Sequence, residues 1–170
     1  MRARPNILHE FTSALVTVGF SSAGVSPGGH QDRWVRDEAK IDVLVPTGLG
    51  ERASARRGAT GGRTLGAPGA QQAIDRSQPV PVEIEGLQGE VWRPSMLGAL
   101  VLKAAAYTTP EADRDRHLID FATLASMLTR TDHINEGLTR SDRKYLSRAV
   151  VALKEKRPLL GNDRRSGAGY

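Results

Sequence analysis

The run of residues 96–107, MLGALVLKAAAY, constrains the fold more than any other part of the chain because it is apolar on nearly every side of a helix. A helix with one apolar stripe lies at a protein surface, whereas a helix that is apolar all round has to be surrounded by other elements. Ser95 precedes the run, and serine is a favoured N-cap residue. The sequence therefore predicts a central buried helix that begins after Ser95.

Two further helices are predicted after the central one. Thr108 and Glu111 have the spacing of a capping box, which predicts a second helix that starts there and continues to Leu128. A third helix is predicted from about Ser141 to Pro158, because apolar residues recur between them at helical spacing. These two helices would supply the cover that the central helix needs.

The first half of the chain predicts one helix and several short strands. A helical pattern over residues 7–18 ends before Gly19, and its apolar positions are Ile7, Phe11, Leu15 and Val18. Apolar runs bounded by turn-forming residues predict strands at 20–23, 33–37, 40–45, 79–84 and 91–93. The expectation is an α+β fold, with a small mixed sheet, flanking helices and a helical C-terminal part.

Residues 47–78 consist mainly of Gly, Ala and Arg with few large apolar side chains, which predicts a mobile loop. Two interpretations stay open: a surface insertion, or a lid or RNA-contacting loop that carries Arg52, Arg56, Arg57 and Arg63. Neither GATGG nor LGAPGA is a phosphate-binding P-loop, because no Gly-Lys-Ser/Thr follows and no strand leads through them into a helix.

The predicted organisation has three parts. Residues 1–94 form a partial α/β core that includes the loop 47–78, and residues 95–158 form a helical part packed on that core. Residues 159–170 are predicted to be a disordered tail, because they are mostly glycine and charged or polar residues.

Composition excludes some classes of function. The chain has no cysteine, which excludes a disulfide framework and a zinc-thiolate site. Lys and Arg number 24 against 19 Asp and Glu, and the net charge of +5 favours a polyanionic partner such as nucleic acid. No run of 18 apolar residues occurs, so no membrane span is predicted and we expect a cytoplasmic protein.

Asp42 is a carboxylate in the otherwise apolar run KIDVLVP at residues 40–46. Side chains alternate between the two faces of a strand, so Asp42 projects away from the face of Ile41, Val43 and Val45. It is either a solvated acid at the edge of a sheet or a ligand of a divalent cation, since Mg²⁺ prefers carboxylate oxygens. A single acid holds Mg²⁺ poorly and would need partners.

Lys103 and Asp120 are the two isolated charges of the apolar helical segments. Because an unpaired buried charge costs several kcal/mol, the two side chains are expected to face each other or a shared cleft. One interpretation is a structural ion pair between two helices, or a lysine that extends to solvent. The other is functional: Lys103 binds a phosphate group, and Asp120 orients Lys103 or acts on an attacking hydroxyl.

The order of these motifs resembles that of nucleotidyltransferase-fold proteins of the AbiEii type, the toxin half of many type IV toxin–antitoxin pairs. The resemblance covers roughly residues 7–130 and rests on IDVLVP, PVEIEG, RPSMLGALVLKAAAY and RDRHLIDFATLASML in that order. It implies that Lys103 and Asp120 are catalytic and that Asp42 is a third metal-binding carboxylate. It also implies that Mg²⁺ and a nucleoside triphosphate are cofactors. The implied acceptor of the nucleotide is a hydroxyl of tRNA, of another RNA or of a protein, and the implied partner is an antitoxin.

The chain departs from the family at its most characteristic motif. Such enzymes carry a Gly-Gly or Gly-Ser turn followed by Asp-x-Asp, whereas GGHQD at residues 28–32 has a glycine pair and one acid, with no Asp-x-Asp strand after it. The first two metal-binding carboxylates are therefore not found, and the expectation is a relative that lacks the N-terminal part. The function expected is an impaired nucleotidyltransferase, with a non-catalytic basic module that binds RNA or protein as the alternative.

Overall fold

The structure, a computed structural model, describes residues 7–48, 50, 55–109, 113–132 and 134–160, with side chains up to residue 156. These residues form an α+β protein, as predicted. Its elements are α1 (Ile7–Thr17), β1 (Ser21–Ser22), β2 (Arg33–Arg36), β3 (Ala39–Asp42), β4 (Leu44–Pro46), β5 (Leu65–Ala67), α2 (Ala70–Asp75), β6 (Ser77–Ile84), β7 (Leu87–Pro94), α3 (Met96–Tyr107), α4 (Arg114–Ser126), a short 3₁₀ helix (Arg130–Asp132) and α5 (Arg140–Leu160).

The chain divides into two compact units, Met1–Gln71 and Gln72–Tyr170. The strands β6 and β7, which the sequence analysis grouped with the N-terminal core, belong to the second unit. None of the helices in the described part of the chain is long and apolar enough to cross a membrane.

The first unit contains α1, an antiparallel sheet of β1, β2 and β3, and the parallel pair β4–β5. Its core consists of Leu8, Leu15, Phe20, Trp34 and Val43. The prediction of α1 is confirmed, but its buried face is not the predicted one. Leu8 and Thr12 are buried with Leu15, whereas the predicted core positions Ile7, Phe11 and Val18 are exposed.

The predicted strand over residues 40–45 is in fact two strands that belong to different sheets. β3 pairs antiparallel with β2, whereas β4 pairs parallel with β5. The chain changes sheet at Val43, which is buried and whose backbone N–H donates to the carbonyl oxygen of Asp32 at 2.7 Å. A local pattern of alternating residues cannot show this change, because the partner strand β5 lies about twenty residues further along the chain.

The prediction of an uninterrupted loop over residues 47–78 is wrong in part. The segment contains β5 and α2, and Ser77 already begins β6. Strand pairing uses backbone groups, so a stretch poor in large side chains can still pair with a neighbour. Thr47, for example, donates its backbone N–H to Ala67 at 3.3 Å. Gly66 leaves room for this approach, because a Cβ atom there would lie 3.0 Å from the Thr47 side chain.

The second unit is organised around α3, as the apolar sequence predicts. Leu100 and Ala104 of α3 form a core cluster with Leu118 and Phe121 of α4 and with Ala149 and Ala152 of α5. Burial of one leucine side chain contributes about 1.5–3 kcal/mol, so this cluster is a main source of the unit's stability. The predicted cap is confirmed: the Ser95 hydroxyl accepts a hydrogen bond from the backbone N–H of Gly98 at 3.2 Å.

The predicted capping box at Thr108 is wrong. Thr108 ends α3, and its hydroxyl donates to the carbonyl oxygen of Ala105 at 2.7 Å. The N-cap of α4 is Asp113, whose carboxylate accepts from the backbone N–H of Arg116 at 3.1 Å. Aspartate caps a helix as well as threonine does, so local spacing could not decide between the two sites. Glu111 lies outside the described residues.

A capping box that the sequence analysis missed begins α5. Thr139 donates its backbone N–H to the Asp142 carboxylate at 2.8 Å, and the Asp142 N–H donates to the Thr139 hydroxyl at 3.1 Å. The helix continues to Leu160, beyond the end predicted at Pro158. The predicted tail is thus helical at its first two residues, and the rest lies outside the described residues.

Candidate functional site

The structure brings Lys103 and Asp120 together, as the isolated charges predict. Lys103 directly precedes the core residue Ala104 in α3, and Asp120 directly precedes the core residue Phe121 in α4. Successive residues of a helix are rotated by about 100°, so the two charged side chains lie at the edge of the helix contact. The Lys103 ammonium donates to a carboxylate oxygen of Asp120, with 2.7 Å between Nζ and Oδ2.

This ion pair is accessible. The Lys103 side chain is 33% exposed and the Asp120 side chain 34% exposed. An ammonium group has three N–H donors, and among the described residues Asp120 is the only acceptor for them. Two N–H groups of Lys103 are therefore available to a ligand that approaches from solvent.

Asp120 is ionised near neutral pH. The hydrogen bond from Lys103 lowers the pKa of Asp120 below its usual value, and the positive charges of Lys103 and Arg116 act in the same direction. These effects outweigh partial burial, which alone would raise the pKa. Asp120 is thus an anion that holds the ammonium group in place, rather than a carboxylic acid that could donate a proton.

His117 adds a third functional group to this site. It lies three residues before Asp120 on α4, so the two side chains share a face of the helix. Burial and the nearby positive charge of Lys103 lower the pKa of His117, which is therefore neutral at pH 7. Its Nδ1 atom is buried and has no hydrogen-bond partner among the described residues. The sequence analysis did not single out His117 as a site residue; its three-residue spacing from Asp120 was the available signal.

Asp42 lies in the first unit, whereas Lys103 and Asp120 lie in the second. Its partner in the antiparallel sheet is Arg33, directly opposite on β2. The guanidinium group binds both carboxylate oxygens, with Nε–Oδ1 at 2.8 Å and Nη2–Oδ2 at 3.1 Å. Both side chains are about half exposed. The role of Asp42 as a metal ligand stays a prediction, and the carboxylate would have to leave Arg33 to fulfil it.

The described residues do not fit the Mg²⁺ site that the resemblance implies. No three His, Asp or Glu side chains in the described part of the chain lie close enough together to hold a metal ion. Mg²⁺ usually takes one or two carboxylates together with substrate phosphates and water, in near-ideal octahedral geometry. Asp42 alone, already bound by Arg33, is not such a set.

The arrangement around Lys103 can nevertheless do defined chemistry. It offers a cation with two available donors, an anion that positions that cation, and a neutral imidazole beside them. This is a set of groups that can bind a phosphate oxygen and orient it. Comparison with known protein families, with curated proteins and with solved structures finds no match. A function can therefore be proposed only from the geometry and the sequence motifs.

Proposed function

We propose that this chain is a nucleotidyltransferase-like protein of the cytoplasm that binds the phosphates of a nucleoside triphosphate through Lys103. One observation carries the proposal: the Lys103 ammonium is anchored to Asp120 at 2.7 Å, is one-third exposed and has two N–H donors to spare. An anchored cation at the surface suits a phosphate ligand, because little side-chain freedom remains to be lost on binding.

A purely structural role explains this pair less well. Ion pairs that are exposed to solvent contribute about 0.2–1 kcal/mol to stability. The contact between α3 and α4 already rests on leucine, alanine and phenylalanine, and apolar residues join helices at least as well as charged ones. The pair therefore adds little to the stability of the helix contact, whereas it places a positive charge where a ligand can reach it.

The reaction that the resemblance implies joins a hydroxyl oxygen of RNA or protein to the α-phosphorus and breaks the bond to the β-phosphate, releasing pyrophosphate. In our proposal Lys103 binds the triphosphate and Asp120 positions the ammonium group. His117 is neutral and shares a face of α4 with Asp120, and it is the group that we propose to accept a proton from the attacking hydroxyl.

A second candidate function is a basic module that binds RNA or a partner protein such as an antitoxin without nucleotide transfer. The bidentate contact between Arg33 and Asp42 favours it, because this contact occupies the one carboxylate that the motifs assign to the metal. The net charge of +5 agrees with such a role. The two candidates differ in one measurable property, since only the first requires a nucleotide site at Lys103.

Nucleotide binding to the purified full chain tests the proposal. Titration with ATP, measured by calorimetry, is expected to show binding. Lys103→Met should weaken this binding by roughly tenfold to a hundredfold, which corresponds to the loss of a hydrogen bond to a charged group. Lys156→Met is the matched control, because Lys156 of α5 also pairs with an aspartate of α4, Asp115. Equal affinity of the parent and Lys103→Met would contradict the proposal, as would an equal loss in both variants.

A further inference from the structure

The first unit contains an open cleft of about 480 Å³ that the proposed function does not use. Two glycine turns, at residues 28–29 and 61–62, form part of its wall, and its polar side chains are His30, Gln31, Arg57, Thr60 and Arg63. Among the described residues, the lining includes no Asp or Glu, and no aromatic residue apart from the imidazole of His30. Its volume is within the range of small-molecule sites.

Backbone pairing holds the two turns together. Residue 63 forms one bridge with residue 30 and another with residue 57. The backbone N–H of Gln31 donates to the carbonyl oxygen of Arg63 at 2.6 Å, and the Thr60 hydroxyl donates to the Gln31 side-chain oxygen at 2.7 Å. Ala59 donates its N–H to the buried hydroxyl of Thr12 on α1 at 2.8 Å, which fixes the second turn to the core. The cleft is thus a built feature of the fold.

Gly62 is required for this close approach. A Cβ atom at position 62 would lie 1.8 Å from the side-chain oxygen of Gln31 and 2.6 Å from its Cβ atom. Rotation of the end of the Gln31 side chain could relieve the contact with its oxygen but not the contact with its Cβ atom, because the Cβ atom is fixed to the backbone. The neighbouring Gly61 has a φ of +77°, a backbone conformation that side-chain-bearing residues rarely adopt. The GATGG motif therefore serves this turn, although it is not a P-loop.

Two arginines project from the same side of this structure. Arg57 and Arg63 are partners in an antiparallel bridge, and directly opposite residues point to the same face. One guanidinium N–H of Arg57 donates to the carbonyl oxygen of Gly61 at 2.7 Å, which places that group at the turn. The Arg63 guanidinium has no hydrogen-bond or ion-pair partner among the described residues. Like charges that face each other are destabilising, and a bound anion would neutralise them.

We propose that this cleft is a phosphate-binding site for a nucleotide-sized unit, recognised by its phosphate and not by its base. The two arginines supply N–H donors for phosphate oxygens. The described lining residues include no Phe, Tyr or Trp on which a base could stack, so base preference should be weak. The phosphate can belong to a free nucleotide or to an RNA backbone. The site is separate from Lys103 and does not depend on the function proposed for it.

Binding assays with the full chain test this inference in two arms, one with ATP and one with a fluorescent single-stranded RNA. The Arg57→Ala/Arg63→Ala variant is expected to lose affinity roughly tenfold or more in the arm that reports the natural ligand. In the RNA arm, the slope of log K against log salt should also fall by about 1.4, because each lost phosphate contact contributes about 0.7 for single strands. Circular dichroism confirms that the variant is folded.

Lys40→Ala/Lys144→Ala is the control, since it removes the same charge at two exposed positions away from the cleft. Binding that depends on the arginines in either arm supports the inference, and the arm in which it occurs identifies the source of the phosphate. The conservative Arg63→Lys variant should bind more tightly than the double alanine variant. Equal affinity of the two double variants in both arms would overturn the inference. Lys103→Met leaves binding at the cleft unchanged, so the two proposals fail independently.

Discussion

The second unit contains two ion pairs whose surroundings assign them opposite roles. Arg76 and Asp142 are joined at 2.6 Å, with Asp142 fully buried and the Arg76 side chain 19% exposed. Asp142 also caps α5 through Thr139, and Arg76 donates to the carbonyl oxygen of Gly137 at 3.0 Å. Arg76 also donates to the carbonyl oxygen of Gln72 at 3.2 Å, so its contacts join several parts of the fold.

The pair of Lys103 and Asp120 has the same kind of contact, 2.7 Å, but a different environment. It is one-third exposed and has two N–H donors with no acceptor among the described residues. Comparison of the two pairs shows that distance alone does not assign a role to an ion pair. Burial and the use of the remaining donors do, and these make the first pair structural and the second one available to a ligand.

The largest expected effect concerns nucleotide transfer, which tests the functional role of the accessible pair of Lys103 and Asp120. Incubation of the purified chain with labelled nucleoside triphosphates, Mg²⁺ and total tRNA is expected to give no labelled RNA above background. Loss of one well-placed group that stabilises developing charge typically costs about 10² to 10³ in rate, and the described residues gather no carboxylate cluster for a metal. Labelled RNA that disappears in Lys103→Ala, Asp120→Ala and Asp42→Ala would show that the site is complete.

Substitution of Asp142 tests the structural role of the buried pair. Asp142→Ala leaves Arg76 without its carboxylate and the Thr139 backbone N–H without its acceptor, and loss of one partner of a buried pair costs about 3–5 kcal/mol. We expect urea unfolding to show a decrease of that size in the free energy of unfolding. Asp115→Ala removes the exposed pair with Lys156 and should cost no more than about 1 kcal/mol. Similar values for the two variants would remove the distinction between buried and accessible pairs.

The smallest expected effect is the pH dependence that His117 contributes. Its pKa is lowered in the folded protein from the ordinary 6.5, so protons bind the unfolded chain more readily. This contribution to stability is constant above about pH 6.5 and decreases as the pH falls below that value towards the folded pKa. His117→Gln should therefore lose less stability than the parent between pH 7 and pH 5 in urea unfolding. His9→Gln, at an exposed position of α1, is the control, and a pH profile of His117→Gln identical to the parent's would contradict the assignment.

Local sequence predicts the parts of this protein that depend on neighbours along the chain. The apolar run with Ser95 before it predicts α3 and its cap, and isolation among apolar neighbours predicts the meeting of Lys103 and Asp120. Those two residues are only 17 positions apart on consecutive helices. The contact between these two charges was thus predictable from the sequence, whereas their chemical role stays a prediction.

Long-range pairing could not be predicted in the same way. Arg76 and Asp142 are 66 positions apart, and each looks in the sequence like an ordinary surface charge. β5 escaped prediction because its pairing depends on backbone groups rather than on a pattern of side chains. The cleft at Arg57 and Arg63 was not predicted either. Its glycine turns look like an ordinary loop in the sequence, because the pairing of residue 63 with residue 30 is not visible there.

The most direct test of the contrast between the two pairs is Asp120→Asn, measured for stability and for ATP affinity on the same preparation. The account predicts that the free energy of unfolding falls by no more than about 1 kcal/mol, because the pair is accessible. It predicts that ATP affinity falls by roughly tenfold, because the ammonium of Lys103 loses a charged hydrogen-bond partner. A loss of stability as large as that of Asp142→Ala, with ATP affinity unchanged, would show that Lys103 and Asp120 form a structural pair and would contradict the account.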